Sequence, residues 1–209
     1  MTICVPLGAL FPDASAVLGA AGADVEPLRN GGRRLVLRAD DGTAYITTRP
    51  SDVPTYVEAG AADLGIVGKD VLLERDPDVY ELLDLGFGGC RMVYATPEGE
   101  DPTPEALHRL GAVRVATKYP AVARAHFSAT GRQVEVVKVN GSVELAPLVG
   151  LAHGIVDLTA SGRTLAENGL VEREELFHST ARLIANRASY TLRLEQIDRF
   201  AAQLAAAGS

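Results

Sequence analysis

Short runs of apolar and β-branched residues recur along this chain, and most give way to stretches with helical spacing, the pattern of strands alternating with helices. Thr2 to Val5 predicts a strand, followed by a helix over Ala14 to Ala21 that Asp13 caps and Gly22 ends. Leu35 to Ala39 and Ala44 to Thr48 predict a hairpin, because Asp40-Asp41-Gly42 between them is turn chemistry. Ser51 or Asp52 then caps a helix through Tyr56 to Glu58, stopped at Gly60; Asp63 to Gly68 reads as a buried strand, Lys69 to Glu74 as a helix and Val79 to Leu85 as a strand. Gly86-Phe87-Gly88-Gly89 is the densest glycine cluster, and the strand Cys90 to Ala95 follows it directly, which predicts a hinge between two lobes.

Beyond that point the alternation is regular. Helices are predicted over Pro104 to Leu110, Ala121 to Thr130, Val143 to Leu151 and Ser161 to Asn168, and strands over Val113 to Thr117, Val134 to Val139 and Ile155 to Thr159. Such an order implies a largely parallel sheet. Strand character returns in Arg182 to Ala185. Leu194, Ile197, Ala201 and Leu204 mark one face of a closing helix expected to pack on the first lobe, with fraying over Ala201 to Ser209.

Composition narrows the function classes. The 209 residues, 47% of them hydrophobic, suffice for a substantial core in one large domain or two small ones. A net charge of -7 argues against nucleic acid or an anionic membrane as the main partner, so an anionic ligand must be held by local donors. With 5% aromatic residues and no tryptophan there is little material for a base-stacking platform. Cys4 and Cys90 have no metal-ligand spacing and read as reduced core thiols. No signal-peptide pattern opens the chain and no apolar stretch reaches the roughly 20 residues of a membrane helix, so a soluble cytoplasmic protein is expected.

The sharpest change of chemistry lies at Ile155 to Leu165, where an apolar run gives way to Thr159, Ala160, Ser161, Gly162, Arg163 and Thr164 before helical spacing resumes. Unpaired N–H groups at such a strand-to-helix junction attract an anion, and a glycine lets the backbone approach it. Ser161, Arg163 and Thr164 add side-chain donors, while Asp157 at the strand tip is placed to accept from the hydroxyls of a sugar. The same spacing equally describes an ordinary turn with Ser161 as its helix cap. Glu144 is the second carboxylate singled out: with Asp157 it can reach a ribose diol or the water shell of Mg2+, or else complement a helix dipole. Gly8, Arg49, Gly68-Lys69-Asp70, Thr117-Lys118-Tyr119 and Asn140-Gly141-Ser142 also stand at strand ends, where an open α/β sheet binds its ligands. No nucleophilic triad is visible around His108, His126, His153 or His178, and neither a Walker A loop nor a dinucleotide G-x-G-x-x-G is present.

Six blocks in order resemble the short form of the ATP phosphoribosyltransferase family: Arg49 to Val57, Gly60 to Asp70, Leu83 to Gly88, Ala116 to Pro120, Gly141 to Pro147 and Asp157 to Leu165. The resemblance implies an α/β fold of two lobes like the type II periplasmic binding proteins, with a cleft between them. Lobe I would be residues 1–88 plus 176–209, on the ATP side, and lobe II residues 89–175, carrying the sugar-donor loop. It implies attack by N1 of ATP on C1 of phosphoribosyl pyrophosphate, with substrate-bound Mg2+ and no direct protein ligation of the metal. Carried over by motif, Asp157, Thr159, Ala160, Ser161, Gly162, Arg163 and Thr164 hold the donor, Glu144 and Asp157 act on the ribose as catalytic residues, and Arg49, Arg33, Asp70 and Lys69 face ATP. Pro6-Leu7-Gly8-Ala9-Leu10 departs from the family's P-K-G-R-L pattern by lacking the lysine and the arginine.

The sequence ends after the closing helix, as in short forms that lack a regulatory domain. A homodimer is therefore expected to join a regulatory subunit related to histidyl-tRNA synthetase in a hetero-octamer. Two other readings remain at this level: a two-lobed anionic-solute-binding module, which would ordinarily carry an export signal, and a catalytically silent subunit of the same complex, motivated by Leu7.

Overall fold

Ile3, Cys4 and Val5 are fully buried in β1 (Thr2–Pro6), a strand covered on both faces as its unbroken apolar run requires. In the computed structural model, which describes residues 1–207, it begins a chain that divides into two units, Met1–Gly89 with the segment from Thr180 onward, and Cys90–Ser179. α1 (Phe11–Ala20) starts earlier than its predicted cap: Pro12 sits in the first turn, where its missing N–H costs nothing, and Asp13 lies inside that turn instead of capping it. α2 (Glu26–Asn30) has no counterpart among the predicted elements, since a single turn is too short to show a period. β2 (Val36–Arg38) and β3 (Ala44–Thr48) form the expected antiparallel hairpin, with Gly42 at φ +85° in its turn.

A 3-10 turn at Pro50–Asp52 leads into α3 (Val53–Glu58), where Asp52 takes the expected N-cap position but makes no side-chain cap bond; its Oδ1 accepts from the Ser51 hydroxyl instead. β4 (Leu64–Gly68), α4 (Lys69–Arg75) and β5 (Tyr80–Asp84) complete this part of the first unit. The second unit runs β6 (Cys90–Pro97), α5 (Thr103–Leu110), β7 (Val113–Thr117), α6 (Pro120–Ala129), β8 (Val134–Lys138), α7 (Leu145–Leu148), β9 (Gly154–Thr159), α8 (Arg163–Glu167) and β10 (Leu170–Ser179). β11 (Ala181–Ala185), α9 (Arg187–Leu192) and α10 (Leu194–Ala207) return to the first unit. The helix expected to fray from Ala201 continues to Ala207, and the rest of that expectation, residues 208–209, lies outside the described residues.

The first unit is built on a six-stranded sheet in the order β2-β3-β1-β4-β11-β5. Successive residues of β1 feed opposite layers: Ile3 and Val5 pack with Leu18, Ile197 and Leu204, while Cys4 packs with Val53, Val57 and Val71. The closing helix α10 thus covers the first unit, as its apolar face predicts, although Leu194 at its start is exposed. The second unit holds a five-stranded sheet, β10-β6-β9-β7-β8, with Val93 and Ile155 facing one layer and Met92, Tyr94 and Val156 the other.

That sheet is mixed and not largely parallel. β7 pairs in parallel with β8 and β9, but β6 is antiparallel to both β9 and β10. β10 escapes prediction because its run Glu172-Arg173-Glu174-Glu175 is charged, a composition tolerated on an edge strand where one side of the ribbon faces solvent. α7 is also far shorter than predicted, ending before Gly150 takes a left-handed φ of +71°. Among the described residues no helix is long and apolar enough to cross a membrane.

Candidate active site

β7 and β9 are parallel neighbours, paired at Thr117 and Val156. The chain leaves β7 towards β8 on one side, and leaves β9 for β10, which lies beyond β6 on the other. Where adjacent parallel strands send their connections apart, a crevice opens outside their carboxyl ends. A cavity of about 570 Å3 lies there, within the second unit. Lys118 enters it from the end of β7, Ser142 and Glu144 from the connection after β8, Asp157 from β9, and Thr164 and Asn168 from the α8 segment. Leu145 and Leu148 of α7 form its apolar wall.

Asp157 is half-buried, and its Oδ1 accepts from the Leu158 N–H at 2.9 Å, which helps hold the carboxylate at the strand tip. Glu144 occupies the N-cap position of α7 without making a side-chain cap hydrogen bond. Ser142 holds φ at +45°, a left-handed conformation that costs a non-glycine residue about 1–3 kcal/mol and that Asp76, at the end of α4, also adopts. Lys118 is exposed and, among the described residues, makes no ion pair. The cavity therefore combines two carboxylates, one cation and two hydroxyls.

The turn after β9 differs from its predicted form. Ser161 is not the helix cap; Gly162 takes that position at φ +73°, and the buried Thr159 closes the turn by accepting the Gly162 N–H on Oγ1 at 2.8 Å. Ser161 Oγ accepts only a long bond from the Arg163 N–H, at 3.5 Å. Predicted over Ser161 to Asn168, α8 spans only Arg163–Glu167, so its dipole is that of little more than one turn. Ala160, Ser161, Arg163 and Thr164 are exposed, and of the turn residues Thr164 reaches the cavity wall.

The residues predicted to face ATP collect at one edge of the other sheet. Arg49 follows the end of β3 and Lys69 and Asp70 follow the end of β4, on either side of β1, whose continuation places Leu7 N–H on Thr48 O at 2.7 Å. Arg33 lies in the turn before β2, and the Leu35 carbonyl accepts from Thr47, so it belongs to the same edge. Arg33 and Arg49 are exposed. Lys69 is already engaged, with Nζ 2.6 Å from Glu81, and Asp70 is buried.

Sequence reasoning left Lys118 and Ser142 without a role although both stand past strand ends, and it missed Asn168, whose Nδ2 donates to Thr164 O at 2.8 Å across a contact visible only in the fold. Other titratable groups in the fold are engaged away from this cavity. Cys4 is buried, which pushes its thiol up to about 12, and His153 Nδ1 accepts from the Arg114 N–H. His126 is tied to Glu174, itself held by Arg132 through contacts of 2.5 and 2.7 Å. Among the described residues no group of three or more His, Cys, Asp or Glu side chains is placed to hold a metal ion.

Residues 49–206 match the profile of the family described as ATP phosphoribosyltransferase. The chain belongs to the ATP phosphoribosyltransferase family. A protein of Rubrobacter xylanophilus named ATP phosphoribosyltransferase is 57% identical over 198 residues, covering 94% of this chain and 91% of the relative. A chain from the ATP phosphoribosyl transferase (HisG:HisZ) complex of Thermotoga maritima has a TM-score of 0.85 at 33% identity and covers 100% of this chain and 98% of its own. The periplasmic aliphatic sulphonate binding protein of Escherichia coli, at 13% identity, shares the fold alone, with a TM-score of 0.59 over 100% of this chain and 72% of that one. The ATP phosphoribosyltransferase family thus has, in this chain, the α/β architecture of type II periplasmic binding proteins that the sequence blocks imply.

Proposed function

We propose that the cavity outside β7 and β9 binds phosphoribosyl pyrophosphate for the reaction of the family. That reaction is transfer of the phosphoribosyl group to N1 of ATP with release of pyrophosphate, the first step of histidine biosynthesis. The observation that carries the assignment is the meeting of Asp157 and Glu144 with Lys118, Ser142 and Thr164 in one cavity at the switch point of the sheet. Asp157 and Glu144 accept from the ribose hydroxyls and stabilise the positive charge that grows on the sugar ring as the bond from C1 to pyrophosphate breaks and the bond to N1 forms. Thr159, Ala160, Ser161, Gly162, Arg163 and Thr164 hold the 5-phosphate. A displacement with so good a leaving group needs alignment and charge stabilisation more than a side-chain nucleophile.

A divalent ion is consistent with the family in general. Mg2+ is proposed to arrive on the pyrophosphate oxygens of the donor, since two carboxylates in the cavity suit hydrogen bonding to the ion's water shell better than resident coordination. Arg49 and Arg33 are assigned to the ATP phosphates. Lys69 joins them on leaving Glu81, and Asp70 supports that edge from within.

The Thermotoga structure pairs HisG with HisZ. By the same logic this chain forms a homodimer that assembles in the cytoplasm with a regulatory subunit related to histidyl-tRNA synthetase, as a hetero-octamer. The test is to mix the protein with ATP, phosphoribosyl pyrophosphate and Mg2+, with and without that subunit, and to measure pyrophosphate and phosphoribosyl-ATP. Both products are expected; neither product under either condition overturns the assignment.

A further inference from the structure

Arg91 stands on β6 opposite Thr159, the residue that closes the turn after β9. Its guanidinium meets Glu172 of β10 fork to fork, Nη1 to Oε2 at 2.8 Å and Nη2 to Oε1 at 3.0 Å, and Nη1 also reaches Glu175 Oε2 at 3.1 Å. Bidentate pairs of this kind fix orientation as well as charge. Glu172 in turn lies against the turn itself: a Cβ placed on Gly162 would stand 2.9 Å from Glu172 Oε1. The glycine is required by its φ of +73°; the crowding by Glu172 Oε1 comes from the end of a side chain, which Arg91 holds in place. A carboxylate in that place would repel an anion bound to the turn unless its charge were compensated.

On the reading that this turn holds the 5-phosphate of the donor, we propose that Arg91 and Glu172 are positioning residues for it. Glu172 braces Gly162, and Arg91 cancels the charge that the brace brings. Neither touches the reacting atoms. Loss of Arg91 leaves Glu172 without its bidentate partner beside the turn, whereas loss of the charge on Glu172 alone leaves the brace in place.

Steady-state kinetics of four variants, with calorimetric titration of inorganic phosphate in the absence of turnover, separate these roles. Arg91→Gln should raise KM for phosphoribosyl pyrophosphate about tenfold or more, with kcat and KM for ATP within about twofold. Arg91→Gln/Glu172→Gln should recover most of that loss. Glu172→Gln should bind phosphate at least as well as the parent, and Glu172→Ala more weakly. Phosphate affinity should follow the same order, so the brace is tested even in a preparation that makes no phosphoribosyl-ATP, an outcome that would count against the function alone. An unchanged donor KM in Arg91→Gln, a double variant no better than the single one, or equal effects of Glu172→Gln and Glu172→Ala on phosphate binding would each overturn the proposal. If Arg91→Gln does not fold, the contrast between the two Glu172 variants still decides.

Discussion

The turn after β9 and the edge formed by Leu7, Arg33, Arg49 and Lys69 both stand at strand ends, yet they hold their polar groups in opposite ways. At the turn, backbone and side chains are braced from within the unit: Thr159 Oγ1 accepts from the Gly162 N–H, and Asn168 Nδ2 donates to Thr164 O. The carboxylates beside it already line a cavity. At the edge, the two arginines are exposed and the lysine is spent on Glu81, with Arg182 close to the same carboxylate at 3.4 Å. Its neighbouring hollow, about 270 Å3, runs between Leu72, Leu73, Pro77 and Val79 behind that ion pair. On the proposed assignment a sugar phosphate would be met by groups already in place, and a nucleotide by long side chains that must first be ordered. Preorganised groups lose less on binding, so damage should be costlier at the first site than at the second.

The largest effect is expected from Asp157→Asn, which keeps the shape of the side chain and removes its charge. It should lower kcat/KM for phosphoribosyl pyrophosphate tenfold or more, about 1.4 kcal/mol or above, in steady-state assays. An effect smaller than that of any arginine at the edge would break the contrast. Arg49→Ala comes next: KM for ATP should rise severalfold with KM for the donor unchanged, since an exposed side chain contributes less than a preorganised one. Equal shifts in both constants would mean the two regions are not separable.

A smaller effect concerns stability rather than turnover. Hydrogen bonds from Arg132, opposed in part by desolvation, hold the Glu174 carboxyl below its ordinary range. A lowered carboxylate pKa contributes stability that is present above the unfolded value, about 4.3, and is lost as pH falls through the folded one. Melting temperatures of the parent and Glu174→Gln should therefore differ at pH 7 and converge as the pH drops below about 4. A gap that persists in acid would point to packing instead of charge. The least change is expected from Leu7→Lys, which restores the family pattern at a side chain 39% exposed on the edge proposed to face ATP. At most a severalfold fall in KM for ATP should follow, read in the same assay.

Much of the second unit could be read ahead of the fold. Strand and turn signals located β7, β8 and β9 to within a residue or two, and the chemistry of Asp157 to Thr164 was visible as a run. The helices around the cavity were overcalled, because Leu145 to Leu151 carries apolar residues at helical spacing although Leu145, Leu148, Val149 and Leu151 are exposed. The caps were misassigned for a related reason. Ser161 and Asp13 have the right chemistry but stand off the cap position, and Asp52 stands on it in an αR conformation without a side-chain cap bond, because capping also needs a backbone conformation that neighbouring contacts impose.

By itself the sequence determined the alternation of strands and helices, the hairpin at Gly42, the family blocks and the chemical content of the turn after β9. These depend on spacing and side-chain type over a few residues. Only the tertiary structure decided that β6 and β10 run antiparallel, that Lys69 is paired with Glu81, and that a carboxylate from β10 lies against Gly162 while held by Arg91, 81 residues away in the chain. Pairings over such separations depend on which strands meet and in what register, and no local period carries that information.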